Sequence, residues 1–163
     1  MTRFTGTTNS AGIVTTSRDK VWDLLTDPEA VARLTPFVKS IEADGDLWVW
    51  RMSNIPGLPV KFAPTFTERM TFKPQERIEY EHAPQGGREP AAVAGWYALE
   101  DHEKGTYLEI YLEICISLPL PKAANRMVTG VMSQVMARMG DRFAKGFTAE
   151  LDAEEIPVKG RGA

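Results

Sequence analysis

A strand that runs through a proline-rich turn into one long helix is the feature that most constrains how this chain folds. Residues 108–118 alternate between the two faces of a strand, and Pro119-Leu120-Pro121 ends the alternation. From Lys122 to about Ala153, apolar residues recur at spacings of three and four, which predicts an amphipathic helix rich in methionine. A half-buried strand followed by a terminal helix suggests a curved sheet closing over that helix, often with an apolar cavity between the two layers.

The composition is that of an ordinary globular domain. The chain has 163 residues, 43% of them hydrophobic and 25% charged, which is enough for one domain with a substantial core. The net charge of -3 argues against a nucleic-acid-binding surface, which normally needs a basic stripe. We therefore expect a single domain over residues 1–155 and a disordered tail over residues 156–163.

The termini and the cysteine content predict a cytoplasmic protein. The first residues contain no apolar stretch of the kind found in secretory signals, and no apolar run approaches the ~20 residues of a membrane span. The single cysteine, Cys115, cannot form an internal disulfide, which fits a reducing compartment.

The order of predicted elements indicates an α+β fold. A first strand over residues 4–15 is followed by a helix capped by Ser17 and by a second short helix that begins at Asp27-Pro28 and ends near Leu34. Alternating segments then predict further strands, and about seven antiparallel strands in all would form a sheet with the helices on one face. These segments are residues 38–43, 47–52, 60–72, 77–82, 91–100 and 107–118.

Two local motifs in this order resemble those of a known superfamily. Val21-Trp22-Asp23-Leu24-Leu25-Thr26-Asp27-Pro28 follows the first strand, and Gly95-Trp96-Tyr97-Ala98-Leu99 leads into the last hairpin. Together with the element order over nearly the whole chain, they resemble the SRPBCC superfamily, which includes START lipid-transfer domains, birch-pollen-allergen-like proteins and polyketide cyclases. The resemblance implies a helix-grip fold with a hydrophobic pocket between the sheet and the C-terminal helix. It implies no single activity, since members bind lipids, quinones, hormones or polyketides and a minority are enzymes.

The inward faces of the predicted strands and of the long helix supply the candidate ligand-binding residues. Methionine side chains are flexible and polarizable, so a Met-rich helix face suits a surface that adapts to apolar ligands, although the same stripe could be ordinary core. The candidates are Trp48, Trp50, Phe62, Phe66, Met70, Tyr80, Leu112, Ile114, Val128, Met132, Val135, Met136 and Met139.

Glu68 is the most unusual residue of the predicted pocket. Alternation places it with Phe66 and Met70 on the inward face of its strand, where an unpaired carboxylate would be desolvated and its pKa raised. Such a group could donate or accept a proton. We favour the simpler outcome, in which a bulge turns Glu68 outward or an arginine, with Arg51 as the candidate, neutralises it.

The two histidines are weaker candidates. His82 shares a face with Tyr80 and could move a proton, but its position at a strand end favours an ordinary rim histidine. His102 falls in a predicted turn, and two histidines so placed do not form a metal site, which needs three or four converging ligands. We expect no metal and no cofactor.

Three functions remain open from the sequence. The leading hypothesis is binding of a lipid-like or aromatic, polyketide-like hydrophobe, with access through residues 55–59, residues 84–90 and the start of the long helix. The second is a cyclase- or dehydratase-like enzyme that uses Glu68 or His82 for proton transfer. The third is a ligand-free interaction module, a homodimer built through exposed aromatics such as Tyr107 and Tyr111.

Overall fold

The protein folds as one antiparallel sheet that curves around a long helix. The structure is a computed structural model and describes residues 1–162. A single 3-10 turn, Lys122–Ala124, joins the last long strand to the long helix. The strands and helices are β1 (Thr2–Val14), α1 (Arg18–Leu25), α2 (Pro28–Leu34), β2 (Val38–Asp44), β3 (Leu47–Met52), β4 (Thr65–Lys73), β5 (Arg77–His82), β6 (Ala91–His102), β7 (Gly105–Leu118), α3 (Asn125–Glu150) and β8 (Glu155–Val158).

The sheet has the spatial order β2-β3-β4-β5-β6-β7-β1-β8, and every neighbouring pair is antiparallel. The longest ladder joins β1 to β7, from Thr2 opposite Leu118 to Val14 opposite Thr106. The predicted α+β helix-grip fold is therefore confirmed, with eight strands rather than seven. No helix within residues 1–162 is both long enough and apolar enough to cross a membrane.

The two short helices begin where their capping residues predict. The Ser17 hydroxyl accepts a hydrogen bond from the backbone N–H of Lys20, and the Asp27 carboxylate accepts one from Glu29 at 3.0 Å. Pro28 occupies the first turn of α2. A backbone N–H at this position would have no acceptor within the helix, so the N–H that proline lacks costs no hydrogen bond. These caps turn the chain twice within a few residues and carry it from β1 to the far edge of the sheet at β2.

The end of the chain forms a strand where disorder was expected. Residues Glu155–Val158 are β8, which pairs with Ala11–Val14 of β1, so the prediction of a disordered tail from residue 156 onward is wrong for residues 156–158. A free strand edge carries unpaired N–H and C=O groups, and β1 offers such an edge beside β7. Ala163, which the prediction also included, lies outside the described residues.

Beyond β8 the tail is anchored to a carboxylate on the convex face of the sheet. Glu109 accepts hydrogen bonds from the backbone N–H groups of Arg161 (3.0 Å) and Gly162 (2.9 Å), from the Asn9 amide (3.0 Å) and from the Tyr107 hydroxyl (2.7 Å). Although burial opposes ionisation, these four donors lower the pKa of Glu109 to about 2.

The same tail covers Tyr107, one of the two aromatic residues expected to be exposed. The Arg161 guanidinium lies 4.4 Å from the centre of the Tyr107 ring, and Tyr107 is buried. Tyr111 is half-buried and stacks on Trp96, with the ring centres 5.9 Å apart. The expectation of an exposed Tyr107 is therefore wrong, because the final residues pack over it.

Glycines allow two close approaches on the concave side. On β1, a side chain at Gly6 would begin 3.3 Å from the sulfur of Met136, so the missing side chain lets α3 lie close to the strand. On β6, a side chain at Gly95 would begin 2.1 Å from the carbonyl oxygen of Tyr111 and 2.8 Å from the hydroxyl of Tyr80. Gly95 thereby leaves room for the Tyr80 hydroxyl to donate a 3.0 Å hydrogen bond to that carbonyl.

Candidate ligand-binding cavity

A cavity of about 450 Å³ lies between the concave face of the sheet and α3. This volume falls within the range of roughly 300–1,000 Å³ that is usual for small-molecule sites in proteins. Twelve of the thirteen candidate binding residues line it, and whether they bind a ligand stays a prediction. The twelve are Trp48, Trp50, Phe62, Phe66, Met70, Tyr80, Leu112, Ile114, Met132, Val135, Met136 and Met139.

Val128 is the candidate that does not line the cavity. It lies one helical turn before Met132, at the N-terminal end of α3, and is fully buried among core side chains. The helical spacing correctly predicts which face of α3 points inward. It does not reveal where along that face the packed core gives way to open space.

Sequence reasoning missed several wall residues that its own patterns contained. Leu108 and Ile110 share the β7 face of Leu112 and Ile114, so the alternation already marked them as inward. Tyr97 also lines the cavity, while its neighbour Trp96 lies on the other face of β6. Which of these two aromatics points inward depends on how β6 pairs with β7, and in the structure Tyr97 lies opposite Ile110. The sequence leaves this register ambiguous.

The loop between β3 and β4 lies at one side of the cavity, as expected. Ile55 and Leu58 line the cavity together with Val131 of α3. A side chain at Gly57 would begin 3.2 Å from Val131, which shows how closely this loop approaches the helix. This loop and the start of α3 are therefore placed where they can control access.

The other loop assigned to access, residues 84–90, does not line the cavity. Its Glu89 carboxylate accepts hydrogen bonds from the backbone N–H (2.9 Å) and the hydroxyl (2.8 Å) of Thr67, and it lies 2.7 Å from Nε2 of His82. These contacts hold the loop against the start of β4 and the end of β5. The prediction that this loop borders the pocket is wrong, because its Glu89 side chain is bound by Thr67 of β4 and His82 of β5.

Glu68 is buried on the cavity wall, with only 2% of its surface exposed. The strand is regular around it, with Trp48 opposite on β3 and His82 opposite on β5, so no bulge turns the side chain outward. Arg51 does not neutralise it, because Arg51 pairs with Glu42 at 3.1 Å. Both parts of the simpler outcome expected for Glu68 are wrong.

Burial raises the pKa of Glu68 to about 8, and the nearby indole N–H of Trp50 partly opposes that rise. At neutral pH the group is therefore mostly an uncharged carboxylic acid, which donates one hydrogen bond. The indole nitrogen of Trp50 is itself buried and meets no acceptor at hydrogen-bonding geometry within residues 1–162. The Trp50 ring is held in place by stacking on Phe66, with the ring centres 5.7 Å apart.

On the next two strands, Tyr80 of β5 and Tyr97 of β6 add hydroxyl groups to the same wall. The rings of Tyr80 and Tyr97 lie 5.4 Å apart, and burial raises the pKa of both phenols above the ordinary value. Both therefore stay protonated at neutral pH. Tyr80 already donates to the carbonyl of Tyr111, so its hydroxyl hydrogen is committed to the protein.

The rest of the wall is mainly apolar, and within residues 1–162 the only charged residue types on it are acidic. They are Glu68, Asp141 and Glu155; no lysine, arginine or histidine of residues 1–162 lines the cavity. His82 is held by Glu89 outside it, and His102 accepts a hydrogen bond from the backbone N–H of Lys104 in the exposed β6–β7 turn. His82 is opposite Glu68 in the β4–β5 ladder, but its ring contacts Glu89 and does not line the cavity.

A long helix gripped by a curved sheet, with a cavity between them, is the helix-grip fold of the SRPBCC superfamily. The family model described as "Polyketide cyclase / dehydrase and lipid transport" matches residues 2–147. The chain belongs to this family. No curated protein matches the sequence closely enough to narrow the family to one activity.

Solved structures share the fold at low sequence identity. A conserved protein from Geobacillus kaustophilus is 21% identical, with a TM-score of 0.63 over 91% of this chain and 98% of its own. The Zhui aromatase/cyclase from Streptomyces sp. R1128 is 15% identical, with a TM-score of 0.65 over 93% of this chain and 94% of its own. A START superfamily protein from Mycobacterium smegmatis is 15% identical, with a TM-score of 0.59 over 92% and 97%. At these identities the similarity establishes the fold.

Proposed function

We propose that this protein binds a hydrophobic small molecule, lipid-like or aromatic and polyketide-like, in the cavity between the sheet and α3. The observation that carries the proposal is the cavity itself, about 450 Å³ with a nearly continuous apolar wall. Its helical side is formed by Met132, Val135, Met136 and Met139. Removing an apolar ligand from water against such a wall is favourable by roughly 25 cal/mol for each Å² buried.

The test combines a search for a bound ligand with a variant that fills the cavity. Native mass spectrometry of the purified protein, followed by organic extraction, would identify a co-purifying hydrophobe. Val135→Trp places a large ring in the cavity, whereas Gln134→Trp places the same ring on the exposed side of α3. We expect Val135→Trp to lose both the co-purifying molecule and the fluorescence gain of N-phenyl-1-naphthylamine, and Gln134→Trp to retain both. Equal binding by the two variants would contradict a site in this cavity.

A second candidate function is a cyclase- or dehydratase-like activity. It is favoured by the name of the family and by Glu68, whose pKa of about 8 allows it to take up or release a proton near neutral pH. Glu68→Gln would then abolish turnover while the hydrophobe still binds. Unchanged turnover in this variant would exclude Glu68 as the proton-transfer group. His82 is not carried forward in this role, since Glu89 binds it away from the cavity.

A further inference from the structure

Four side chains of the cavity wall that can form hydrogen bonds lie in one row across four neighbouring strands. Trp50 of β3 lies opposite Phe66, diagonally next to Glu68 of β4. Tyr80 of β5 lies opposite Met70, and Tyr97 of β6 lies opposite Ile78, which places each diagonally next to the preceding polar residue. Diagonal neighbours on one face of a sheet are within reach of long and aromatic side chains. The rest of the wall is mainly apolar, so this row fixes where a ligand can form hydrogen bonds.

The row contains a donor that lies near Glu68 but has no well-formed hydrogen bond. The indole nitrogen of Trp50 is buried without a hydrogen-bond partner within the described residues, and a buried donor left unpaired costs free energy. An indole N–H can only donate, so its partner must be an acceptor. Glu68 beside it is buried as well and presents its carboxyl group to the cavity.

The charges around the cavity restrict the acceptor further. Because no cationic side chain of residues 1–162 lines the wall, a buried carboxylate or phosphate of a ligand would have no opposite charge. An amine of a ligand could pair with an ionised Glu68, but an ammonium group would itself bring no acceptor to the Trp50 N–H. An uncharged oxygen acceptor satisfies Trp50 and also accepts a hydrogen bond from Glu68 in its acid form.

We propose that the ligand is an uncharged, largely apolar molecule whose carbonyl oxygen sits between the indole N–H of Trp50 and the carboxyl group of Glu68. This proposal rests on the proposed function and names the ligand class for the same cavity. The raised pKa of Glu68 supports it, since the acid form is the one that donates at neutral pH. Tyr80, which is bonded to the Tyr111 carbonyl, positions this end of the cavity rather than contacting the ligand oxygen.

The test uses three probes of one shape: 2-acetylnaphthalene, 2-ethylnaphthalene and 2-naphthoate. Their dissociation constants are measured at pH 7 by displacement of N-phenyl-1-naphthylamine. Trp50→Phe removes the donor and keeps an aromatic ring, and Trp96→Phe makes the same exchange on the convex face of the sheet. Glu68→Leu removes the second donor.

We expect Trp50→Phe and Glu68→Leu each to raise the dissociation constant of 2-acetylnaphthalene about tenfold, the usual effect of losing one hydrogen bond. The constant for 2-ethylnaphthalene should change by less than about threefold, which also shows that the variants are folded. Trp96→Phe should leave the ratio of the two constants unchanged, and 2-naphthoate should bind at least about tenfold more weakly than the ketone. A Trp50→Phe variant that weakens ketone and hydrocarbon equally, or neither, would overturn carbonyl recognition while leaving hydrophobe binding intact. If the unaltered protein binds neither neutral probe, the proposed function fails, and this proposal fails with it.

Discussion

Replacing Glu68 by glutamine should make the protein more stable at neutral pH. In the folded protein the pKa of Glu68 is about 8, against an ordinary value of 4.5. Between pH 4.5 and pH 8 the unfolded chain therefore loses this proton while the folded chain keeps it, and the stability falls as the pH rises. At about 1.4 kcal/mol per pH unit, keeping the carboxyl uncharged at pH 7 costs roughly 3 kcal/mol. Glutamine has nearly the same shape and no such cost.

The free energy of unfolding in urea, measured at pH 4.5 and at pH 7, tests this expectation. Glu68→Gln should exceed the unaltered protein by about 3 kcal/mol at pH 7 and by little at pH 4.5, where the folded chain holds the proton and the unfolded chain is about half protonated. Glu81→Gln is the matched control, since Glu81 lies exposed on the adjacent strand, and it should change the stability by less than about 0.5 kcal/mol. A Glu68→Gln difference that is absent at pH 7, or that stays constant between the two pH values, would refute the desolvation argument.

Three further predictions concern stability. Glu109→Gln should lower the free energy of unfolding by about 2 kcal/mol at pH 7, since it weakens hydrogen bonds to a charged group. Because the folded-state pKa of Glu109 is lowered to about 2, the difference should shrink as the pH falls from about 4.5 to 2, and urea titrations at pH 7 and pH 3 would show whether it does. Gly95→Ala should destabilise the protein by more than about 2 kcal/mol, because the new carbon would begin 2.1 Å from the Tyr111 carbonyl oxygen. Gly130→Ala, on α3 with no atom within 4 Å of the added carbon, should instead stabilise it by up to about 1 kcal/mol, and a thermal melt that ranks the two variants the other way would contradict both.

Local signals were sufficient for most of the fold. The caps at Ser17 and Asp27 act within a few residues, and strand alternation depends only on which face is buried, so both can be read from a single sequence. β8 could not be predicted in this way. It has only four residues, one of them Pro157, and it forms where the edge of β1 is available beside it.

Some features of the cavity follow from the local sequence pattern, and others depend on contacts between residues far apart in the chain. Alternation correctly places Glu68 inward, and it also excludes Arg51 as a partner, because Arg51 follows the inward Trp50 and must point to the other face. The unpaired state of the Trp50 nitrogen was not available from the sequence, since it depends on what the neighbouring strands and α3 place around the ring.

The titration behaviour of the cavity bears on the choice between binding and catalysis. An enzyme that moves protons in two directions needs two groups whose pKa values are set apart, one to donate and one to accept. In this cavity the pKa values of Tyr80 and Tyr97 are raised further above neutrality, so Glu68 alone among the three can change its protonation state near pH 7. The Tyr97 hydroxyl and the acid form of Glu68 are instead hydrogen-bond donors, as the indole of Trp50 is, whereas Tyr80 already donates to the Tyr111 carbonyl. A row of donors is suited to binding an acceptor oxygen. The variant Glu68→Gln separates binding from catalysis, because glutamine still donates a hydrogen bond but cannot transfer a proton. Retained ketone binding together with lost turnover would assign the cavity to an enzyme, whereas retained binding in a protein without turnover would assign it to a carrier or sensor.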